Sequence, residues 1–364
     1  MVSHGQAPAK NYKVLGENGR PSDHSLVGRE RSSFGHSPKK EGSMDSEHKY
    51  AFKDVWIYGV GGVGGYFGGK IAYEASAHPD SAPNVYFIAR GDHFLAIRRR
   101  GLKLNTAEKD GIICVPYHIT DRPETLPKPD LCLLCVKSYD LDAALVALSK
   151  QVKDSTIIIP LLNGVDIHER VRIILKSGIV LPACAYVGTH IEEAGVVTQK
   201  GAPGVMLCGK DPAFQDFNPE PLITFFNDSD IKFTWVDDPF PAIWEKFIFI
   251  AAFGLVTAYS DKTLGGVAAD PELRELVEKI MGEILTIAKK KEISLPSGIV
   301  ETSIAKANNF PFETKTSYQR DIEAKGRLNE GDLFGGTIIK MGKATAIPIP
   351  VTQRIYESIE LKLT

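Results

Sequence analysis

The sequence predicts an α/β fold: a doubly wound parallel sheet followed by an all-helical C-terminal domain. Three observations predict it. A glycine-rich turn follows the short apolar run 55–58. Beyond that turn, apolar runs of strand length alternate with segments of helical period, which is typical of a parallel sheet with helices on both faces. After about residue 238, helical patterns alone continue along the chain.

The predicted elements follow this alternation in order. The first domain has strands predicted at 55–59, 85–89, 131–136, 156–161 and 180–187, and helices at 62–75, 92–100, 139–149 and 165–175. Segment 195–236 reads as further strands around one helix. In the second domain, a long apolar helix starts near Pro241, and an amphipathic helix covers 271–291. The apolar stripe of that helix fits a homodimer interface as well as a core.

We expect three segments along the chain. Residues 1–50 are rich in Ser, Gly, His and charge, so they cannot bury enough apolar surface to offset the entropy of ordering. This predicts a disordered leader, with a transit peptide as the alternative. Residues 51–238 would form the α/β domain, and residues 239–364 the helical domain.

Length, composition and charge favour a two-domain protein with ordinary cores and give no indication of a nucleic-acid or membrane partner. The chain has 364 residues, 43% of them hydrophobic, and two domains are the usual organisation at this length. A net charge of -2 favours neither nucleic acid nor an anionic membrane as a partner. The longest apolar run, 247–256, is far shorter than the ~20 residues that a membrane span needs.

The cysteines indicate a cytoplasmic protein with reduced thiols. There are five, an odd number, and no signal-peptide pattern precedes them. Cys132 and Cys135 form a C-x-x-C inside the apolar run LCLLCV, where strand alternation turns their side chains to opposite faces. This spacing favours buried structural thiols over a metal or redox site.

The glycine-rich turn indicates a dinucleotide site of the Rossmann type. In VWIYGVGGVGGYFGG, Gly59, Gly61 and Gly64 have the spacing G-x-G-x-x-G directly after a predicted strand. Such a turn lets the backbone approach a pyrophosphate, and the amides that open the next helix point at it. Gly62 and Val63 open that helix, so we include them among the cofactor-binding residues.

The end of the second strand favours NADP over NAD. A carboxylate at this position would bind a ribose 2′-hydroxyl, whereas an arginine accommodates a 2′-phosphate. The run VYFIAR ends in Arg90, whose guanidinium can bind a phosphate in bidentate fashion. The alternative is a solvated arginine in a loop, and Asp92 lies just beyond it.

Two polar residues follow later strands at the edge where a ligand is expected. Lys137 follows LCLLCV, and Asn163 follows IIIPLL. The carboxyl ends of parallel strands share one edge of the sheet, and ligands bind there. Asn163 with Gly164 also has the form of a turn, and Lys137 that of a surface lysine. Their coincidence at the glycine-turn edge favours ligand contact.

The helical half contributes further candidates. Lys246 lies near the start of an apolar helix, with Asp238 as its candidate cap. Apolar surroundings and the positive helix end should lower the pKa of its ammonium, which suits a general acid; the alternative is a lysine that reaches solvent. Ser317 and Asp321 lie four residues apart on one predicted helix face. Glu330 opens the next helix, where its charge would also favour the helix N-terminus.

From about residue 54 onward, the chain resembles the ketopantoate reductase family (2-dehydropantoate 2-reductase). The similarity lies in the order and spacing of several blocks, which are GVGGVGGYFGGKIA, FIARGDHFLAIRRRGLKL, LLCVKSYDL, LLNGV, GTHIEEAGVV, WEKF, LVTAY and TSYQRDIEA with NEGDLFGGTIIKMGKATAIPIPVT. The resemblance implies NADPH-dependent reduction of a 2-oxo acid to a 2-hydroxy acid, as in pantothenate biosynthesis. It also implies a site in the cleft between a dinucleotide-binding domain and a helical domain.

The resemblance implies roles for the candidates already named. The turn glycines would hold the pyrophosphate, Arg90 would bind the 2′-phosphate, and Lys137 and Asn163 would lie near the nicotinamide ribose and the substrate. Lys246 would protonate the carbonyl oxygen as hydride reaches the carbon. Ser317 would bind the substrate carboxylate, with Asp321 nearby, and Glu330 would hold a substrate hydroxyl and steady the lysine.

The chain departs from the family pattern at two positions after Lys246. Where the family often has asparagines, four and eight residues on, this chain has Ile250 and Gly254. Apolar groups there remove hydrogen bonds that a hydroxylated acid would use. Two alternatives to 2-dehydropantoate reduction therefore stay open: a reductase of a less polar 2-oxo acid, and a non-catalytic NADPH-binding sensor.

Overall fold

A computed structural model describes residues 50–324 and 328–363. The predicted leader 1–50 lies outside the described residues, apart from Tyr50. The helices and strands of the α/β half are β1 (Asp54–Tyr58), α1 (Gly62–Ala77), β2 (Asn84–Ile88), α2 (Gly91–Arg100), β3 (Leu102–Asn105), β4 (Ile112–Cys114), β5 (His118–Thr120), β6 (Leu131–Leu134), α3 (Leu141–Ser149), β7 (Ile157–Pro160), α4 (Ile167–Ile174), β8 (Ile179–Val180), β9 (Ala183–Glu193), β10 (Val196–Gly209), α5 (Glu220–Asp228) and β11 (Lys232–Val236).

The helical half follows directly. Its elements are α6 (Phe240–Ser260), α7 (Leu264–Ala269), α8 (Pro271–Lys290), α9 (Ile299–Ala307), α10 (Ser317–Glu323), α11 (Thr337–Thr345) and α12 (Pro350–Leu363). A π-helical turn, Asp332–Gly336, leads into α11. The predicted Rossmann-type domain followed by a helical domain is confirmed, whereas the boundary at 238/239 stays a prediction.

The main sheet is parallel throughout and has the strand order β5-β2-β1-β6-β7-β8. Its central strands are apolar on both faces because helices cover both sides. In β1, Val55 and Ile57 pack into one core cluster and Trp56 into the cluster on the opposite face. The same alternation separates Cys132 from Cys135, as predicted, and all five cysteines are free.

A second sheet packs on the other side of α1. Its strands β10 and β11, with α5 between them, match the strands predicted around one helix in segment 195–236, whereas β3 and β4 were not predicted. Its order is β11-β10-β3-β4, and β9 pairs with β10 as a long antiparallel hairpin. Glycines let α1 fit closely between the two sheets: a Cβ on Gly68 would lie 2.7 Å from Ile57 of β1, and one on Gly65 2.6 Å from Val197 of β10. The predicted strand 180–187 is two strands, β8 and β9, because Leu181 and Pro182 separate them.

Helix α6 is the core of the helical half. It is buried along most of its length and contacts α7, α8, α9, α10 and α12. By length and composition it would also qualify as a membrane span among the described residues, but 67% of its apolar window is buried inside the protein. The N-cap position is Pro239 and not Asp238, although the Asp238 carboxylate accepts a hydrogen bond from the amide of Phe240 at 3.0 Å.

The apolar stripe predicted for α8 is part of this core. Its buried residues pack in the same cluster as α6, and they are Val277, Ile280, Met281, Ile284, Ile287 and Ala288. The stripe therefore does not supply a dimer interface, and the homodimer stays a prediction without this support.

Candidate active site

Three of the predicted site residues lie at one edge of the main sheet. Strands β1, β6 and β7 are adjacent and parallel, so Gly59, Lys137 and Asn163 all follow carboxyl ends that point the same way. Backbone hydrogen bonds continue this pairing past the strand ends, from the amide of Cys135 to the carbonyl of Tyr58 at 2.7 Å. The prediction that these residues share one edge is confirmed.

The glycine turn leaves room for a diphosphate. Gly59 has φ +94°, and a Cβ there would lie 2.8 Å from the backbone of Cys135, so the turn presses against the end of β6. A Cβ on Gly64 would lie 2.0 Å from the carbonyl oxygen of Gly59, so α1 packs directly on the turn. Around Gly61, in contrast, a Cβ would meet no atom within 4 Å. This open side, at the N-terminus of α1, fits a dinucleotide.

The β9–β10 hairpin packs against the other side of the N-terminus of α1. A Cβ on Gly62 would lie 2.8 Å from the Thr189 hydroxyl of β9. Val63 is partly buried and packs against the core cluster on that face of the sheet. The space at the turn is therefore bounded by α1 and β9 and is open beside Gly61.

Arg90 lies at the end of β2 as predicted, in the N-cap position of α2. Its side chain is 75% exposed, and its guanidinium forms an ion pair with Asp140 at 2.5 Å. An exposed guanidinium at this position fits a ribose 2′-phosphate. Asp140 would compete with that phosphate, and Asp92 lies in the first turn of α2.

Lys246 points toward the edge of the main sheet. Its ammonium donates to Asn163 Oδ1 at 2.8 Å and to the carbonyl oxygen of Ala185 at 2.6 Å. It also lies over the Tyr186 ring, 5.7 Å from the centroid. Both hydrogen-bond acceptors are neutral, so the charge of this ammonium is oriented but not neutralised.

The pKa of Lys246 is lowered, as predicted. Burial is the largest cause of the shift from the 10.5 of an ordinary lysine, and the Lys306 charge lowers the pKa further. Cys184 and Glu330 act in the opposite direction. An ammonium with a lowered pKa gives up its proton more readily, which is what a general acid requires.

A second cluster joins the two halves of the protein beside this lysine. Lys137 Nζ donates to Glu330 Oε2 at 2.6 Å and to Asp321 Oδ2 at 3.0 Å. The amide of Ser138 donates to the other Glu330 oxygen at 3.3 Å, and the Glu330 side chain is only 5% exposed. Burial by itself would lower the pKa of Lys137, but the two carboxylates outweigh it and raise the pKa above that of an ordinary lysine.

The structure thus brings the candidates together in two groups. Lys246 is bonded to Asn163, while Glu330 and Asp321 are bonded to Lys137. Ser317 is partly buried at the first position of α10, one turn before Asp321. Side chains pack closely on two glycines of the π-helical turn: a Cβ on Gly335 would lie 2.4 Å from Tyr356, and one on Gly336 would lie 2.5 Å from Asp332.

Ile250 and Gly254, the two residues that depart from the family pattern, have different surroundings. Ile250 lines a small cavity together with Asn163, Lys246 and Cys184. Gly254, one turn further along α6, faces α10, where a Cβ would make ordinary contact with Tyr318 at 3.7 Å. An apolar side chain therefore lines the same cavity as Lys246.

Sequence reasoning missed several partners of these residues. The carbonyl of Ala185 and the amide of Ser138 are backbone groups, which carry no side-chain signal. Tyr186 lies just before the block GTHIEEAGVV, and Asp140 lies within the block LLCVKSYDL. Their positions in or beside blocks that resemble the family could have marked both as candidate site residues.

Two family models match this chain, one in each half. The model described as Ketopantoate reductase PanE/ApbA matches residues 55–212, and the model of the C-terminal part of the same family matches residues 240–362. Together they cover most of the described chain.

Individual relatives agree with the family models at low identity. The uncharacterized oxidoreductase YkpB of Bacillus subtilis is 24% identical over 84% of this chain and 97% of its own length. The 2-dehydropantoate 2-reductase of Halobacterium salinarum is also 24% identical, over 84% of this chain and 98% of its own. Among solved structures, a PanE/ApbA family ketopantoate reductase from Ralstonia eutropha superposes with a TM-score of 0.76 at 26% identity, covering 85% of this chain and 97% of that one.

Proposed function

Because the chain belongs to the ketopantoate reductase family and is an NADP-dependent oxidoreductase, we propose that it reduces 2-dehydropantoate to pantoate with Lys246 as the proton donor. The observation that carries this proposal is the hydrogen bond from Lys246 Nζ to Asn163 Oδ1. This hydrogen bond holds the proposed proton donor, Lys246, at the edge of the sheet where the glycine turn lies. Membership of an enzyme family argues against the non-catalytic sensor.

The glycine turn and two side chains would hold the cofactor. Gly59, Gly61 and Gly64, with Gly62 and Val63 at the start of α1, would receive the diphosphate on the open side of the turn. Arg90 would exchange Asp140 for the 2′-phosphate. Lys137 and Asn163 stand at the adjoining strand ends, where the nicotinamide ribose would lie. NADPH supplies the hydride when it is bound there.

Lys246 would complete the reduction by supplying a proton. As the substrate carbonyl is reduced, negative charge develops on its oxygen, and an oriented ammonium stabilises that charge and then transfers the proton. Asn163 and the Ala185 carbonyl fix the direction of the ammonium. Burial lowers its pKa, so the proton is transferred with a smaller barrier than from an ordinary lysine.

The remaining candidates would bind substrate or shape the site. Ser317 and Asp321, on one face of α10, would contact the polar part of the acid. Glu330, buried beside Lys137, would hold a substrate hydroxyl and raise the proton affinity of Lys246 slightly through its charge. Lys137 Nζ and the Ser138 amide both donate to its carboxylate and fix its position.

A second candidate function is reduction of a less polar 2-oxo acid. Ile250 favours it, because this side chain lines the cavity that Lys246 and Asn163 share. A branched alkyl group there offers no hydrogen bond to a substrate hydroxyl but packs well against an alkyl substituent.

A matched pair of substrates distinguishes the two. Purified protein with NADPH is assayed with 2-dehydropantoate and with 3,3-dimethyl-2-oxobutanoate, which has the same skeleton without the hydroxyl. Preference for 2-dehydropantoate in kcat/KM, abolished by Lys246→Ala, supports the proposal; preference for the dimethyl acid supports the alternative. Turnover of neither acid, with NADPH bound, would contradict both. In Ile250→Asn, one new neutral hydrogen bond should favour 2-dehydropantoate by about 3- to 10-fold relative to the wild type.

A further inference from the structure

A second lysine, Lys306, stands beside the proposed active site. It lies in the last turn of α9, and its ammonium lies 5.6 Å from the ring centroid of Tyr186 and 5.6 Å from that of Phe249. Within residues 50–324 and 328–363, no carboxylate forms an ion pair with it. Aromatic faces attract an ammonium and fix its position but leave its charge unneutralised.

Lys306 shares one of these rings with Lys246. The Lys246 ammonium lies 5.7 Å from the same Tyr186 centroid, so the two cations are held around a single ring. Tyr186 is itself anchored, since its hydroxyl donates to the carbonyl of Ala242 at 3.2 Å. The two like charges repel each other, as the lowering of the Lys246 pKa by Lys306 shows, and an anion bound by both relieves that repulsion.

Within the described residues no carboxylate is bonded to either lysine, although the charge of Glu245 acts on Tyr186 and helps to raise the pKa of its hydroxyl. Glu330 and Asp321 are occupied by Lys137, and Lys246 is bonded to neutral oxygens. The surroundings of Lys306 are aromatic on two sides, and Phe310 stacks on Phe249 at 5.8 Å. The position therefore combines positive charge with apolar walls, which suits the carboxylate of an otherwise apolar acid.

We propose that Lys306 binds the carboxylate of the substrate and so restricts this site to 2-oxo acids, excluding neutral ketones and aldehydes. The inference rests on the proposed reductase function and adds a charged contact to the hydroxyl of Ser317. In a 2-oxo acid the carboxylate is bonded directly to the carbonyl carbon, so an acid whose carbonyl oxygen meets Lys246 presents its carboxylate to the same small region. Phe249 and Ile250 then face the alkyl remainder.

Lys306 is a binding residue, so its loss should change KM more than kcat. In Lys306→Gln, KM for the better of the two acids should rise about 10- to 100-fold, the range of one charge-assisted hydrogen bond, while kcat changes less than about threefold. KM for the methyl ester of the same acid, which lacks the charge, should stay within about twofold. Lys306→Arg should recover most of the loss. Lys340, an exposed lysine of α11, provides the control, and Lys340→Gln should leave every constant unchanged.

A pH profile supplies a readout that a purely structural role would not move. The groups that act on Lys246 are Cys184, Glu330, Lys306 and the Tyr186 ring. Removal of the Lys306 charge removes one cause that lowers the pKa of Lys246. The alkaline limb of kcat in Lys306→Gln should therefore move to higher pH.

Two results would overturn the inference about Lys306. One is an equal change of KM for the acid and its ester; the other is no change for either. If the wild type reduces neither acid, the reductase proposal fails. The role of Lys306 can then still be tested by calorimetric measurement of oxamate binding to the NADP-loaded protein. Weaker oxamate binding by Lys306→Gln than by the wild type then supports the carboxylate contact, and equal or absent binding contradicts it.

Discussion

The glycine turn gives the sharpest test of the cofactor site, because its three glycines differ in what a methyl group would meet. Gly61 has a φ of -84°, so alanine avoids the left-handed penalty, and its Cβ would meet no atom within 4 Å. Gly61→Ala should therefore fold normally. The added methyl would nevertheless stand on the open side of the turn, where the diphosphate is proposed to approach the backbone.

The size of the effect follows from the contacts that the methyl displaces. Loss of one charge-assisted hydrogen bond between a backbone amide and a phosphate oxygen costs about 1.5–3 kcal/mol, or about 10- to 150-fold in Kd. NADPH affinity is measured by fluorescence titration, and thermal unfolding of the cofactor-free protein checks the fold. Gly282→Ala, at another position where a Cβ meets no atom within 4 Å, is the matched control in α8.

The reasoning is refuted if Gly61→Ala binds NADPH within twofold of the wild type while its thermal midpoint is unchanged. Gly64→Ala separates a packing effect from a ligand effect. Its Cβ would lie 2.0 Å from the Gly59 carbonyl oxygen, so the turn must shift. Such overpacking should cost about 1–3 kcal/mol of unfolding free energy even without cofactor, whereas Gly61→Ala should cost almost none.

Three further predictions concern charged groups. Arg90→Ala should weaken NADPH binding by at least about tenfold and NADH binding little, because only the 2′-phosphate needs the guanidinium; equal losses in parallel titrations would contradict the cofactor assignment. For Lys246, which must be protonated to act, kcat should fall as pH rises through a pKa below 10.5, and a profile flat to pH 10.5 would exclude it as the acid. Asp211 is buried, and although burial raises the pKa of its carboxyl, bonds from His168, the Ala213 amide and Arg172 outweigh this and lower the pKa to about 2. Because the pKa of Asp211 is lower in the folded protein than in the unfolded chain, its ionised carboxylate stabilises the fold by roughly 2 kcal/mol. This stabilisation is present above the unfolded pKa of 3.8 and is lost as pH falls through about 2. Urea unfolding at several pH values should show this pH-dependent loss of stability in the wild type but not in Asp211→Asn.

The sequence by itself determined the order of elements and the edge at which the site lies. The strand β1, the turn after it and the helix α1 are encoded within about 20 neighbouring residues by apolar period and glycine spacing. Parallel strand order then places Gly59, Lys137 and Asn163 at one edge without further information. The start of α6 near Pro241 was likewise readable, and the Asp238 carboxylate accepts a hydrogen bond from the Phe240 amide there.

Only the tertiary structure decided which of these groups meet. Strands β3 and β4 of the second sheet and β5 of the main sheet have three or four residues each, too few for a period to be recognised, and so they were not predicted. Lys137 and Glu330 are 193 residues apart, and Lys246 is held by a backbone carbonyl of β9. Lys306 and Lys246 meet at Tyr186 through the packing of α9 and α6 beside β9. Such contacts depend on how helices dock against a sheet, and the free energy of docking is a sum over residues distant in the chain, which no local pattern records.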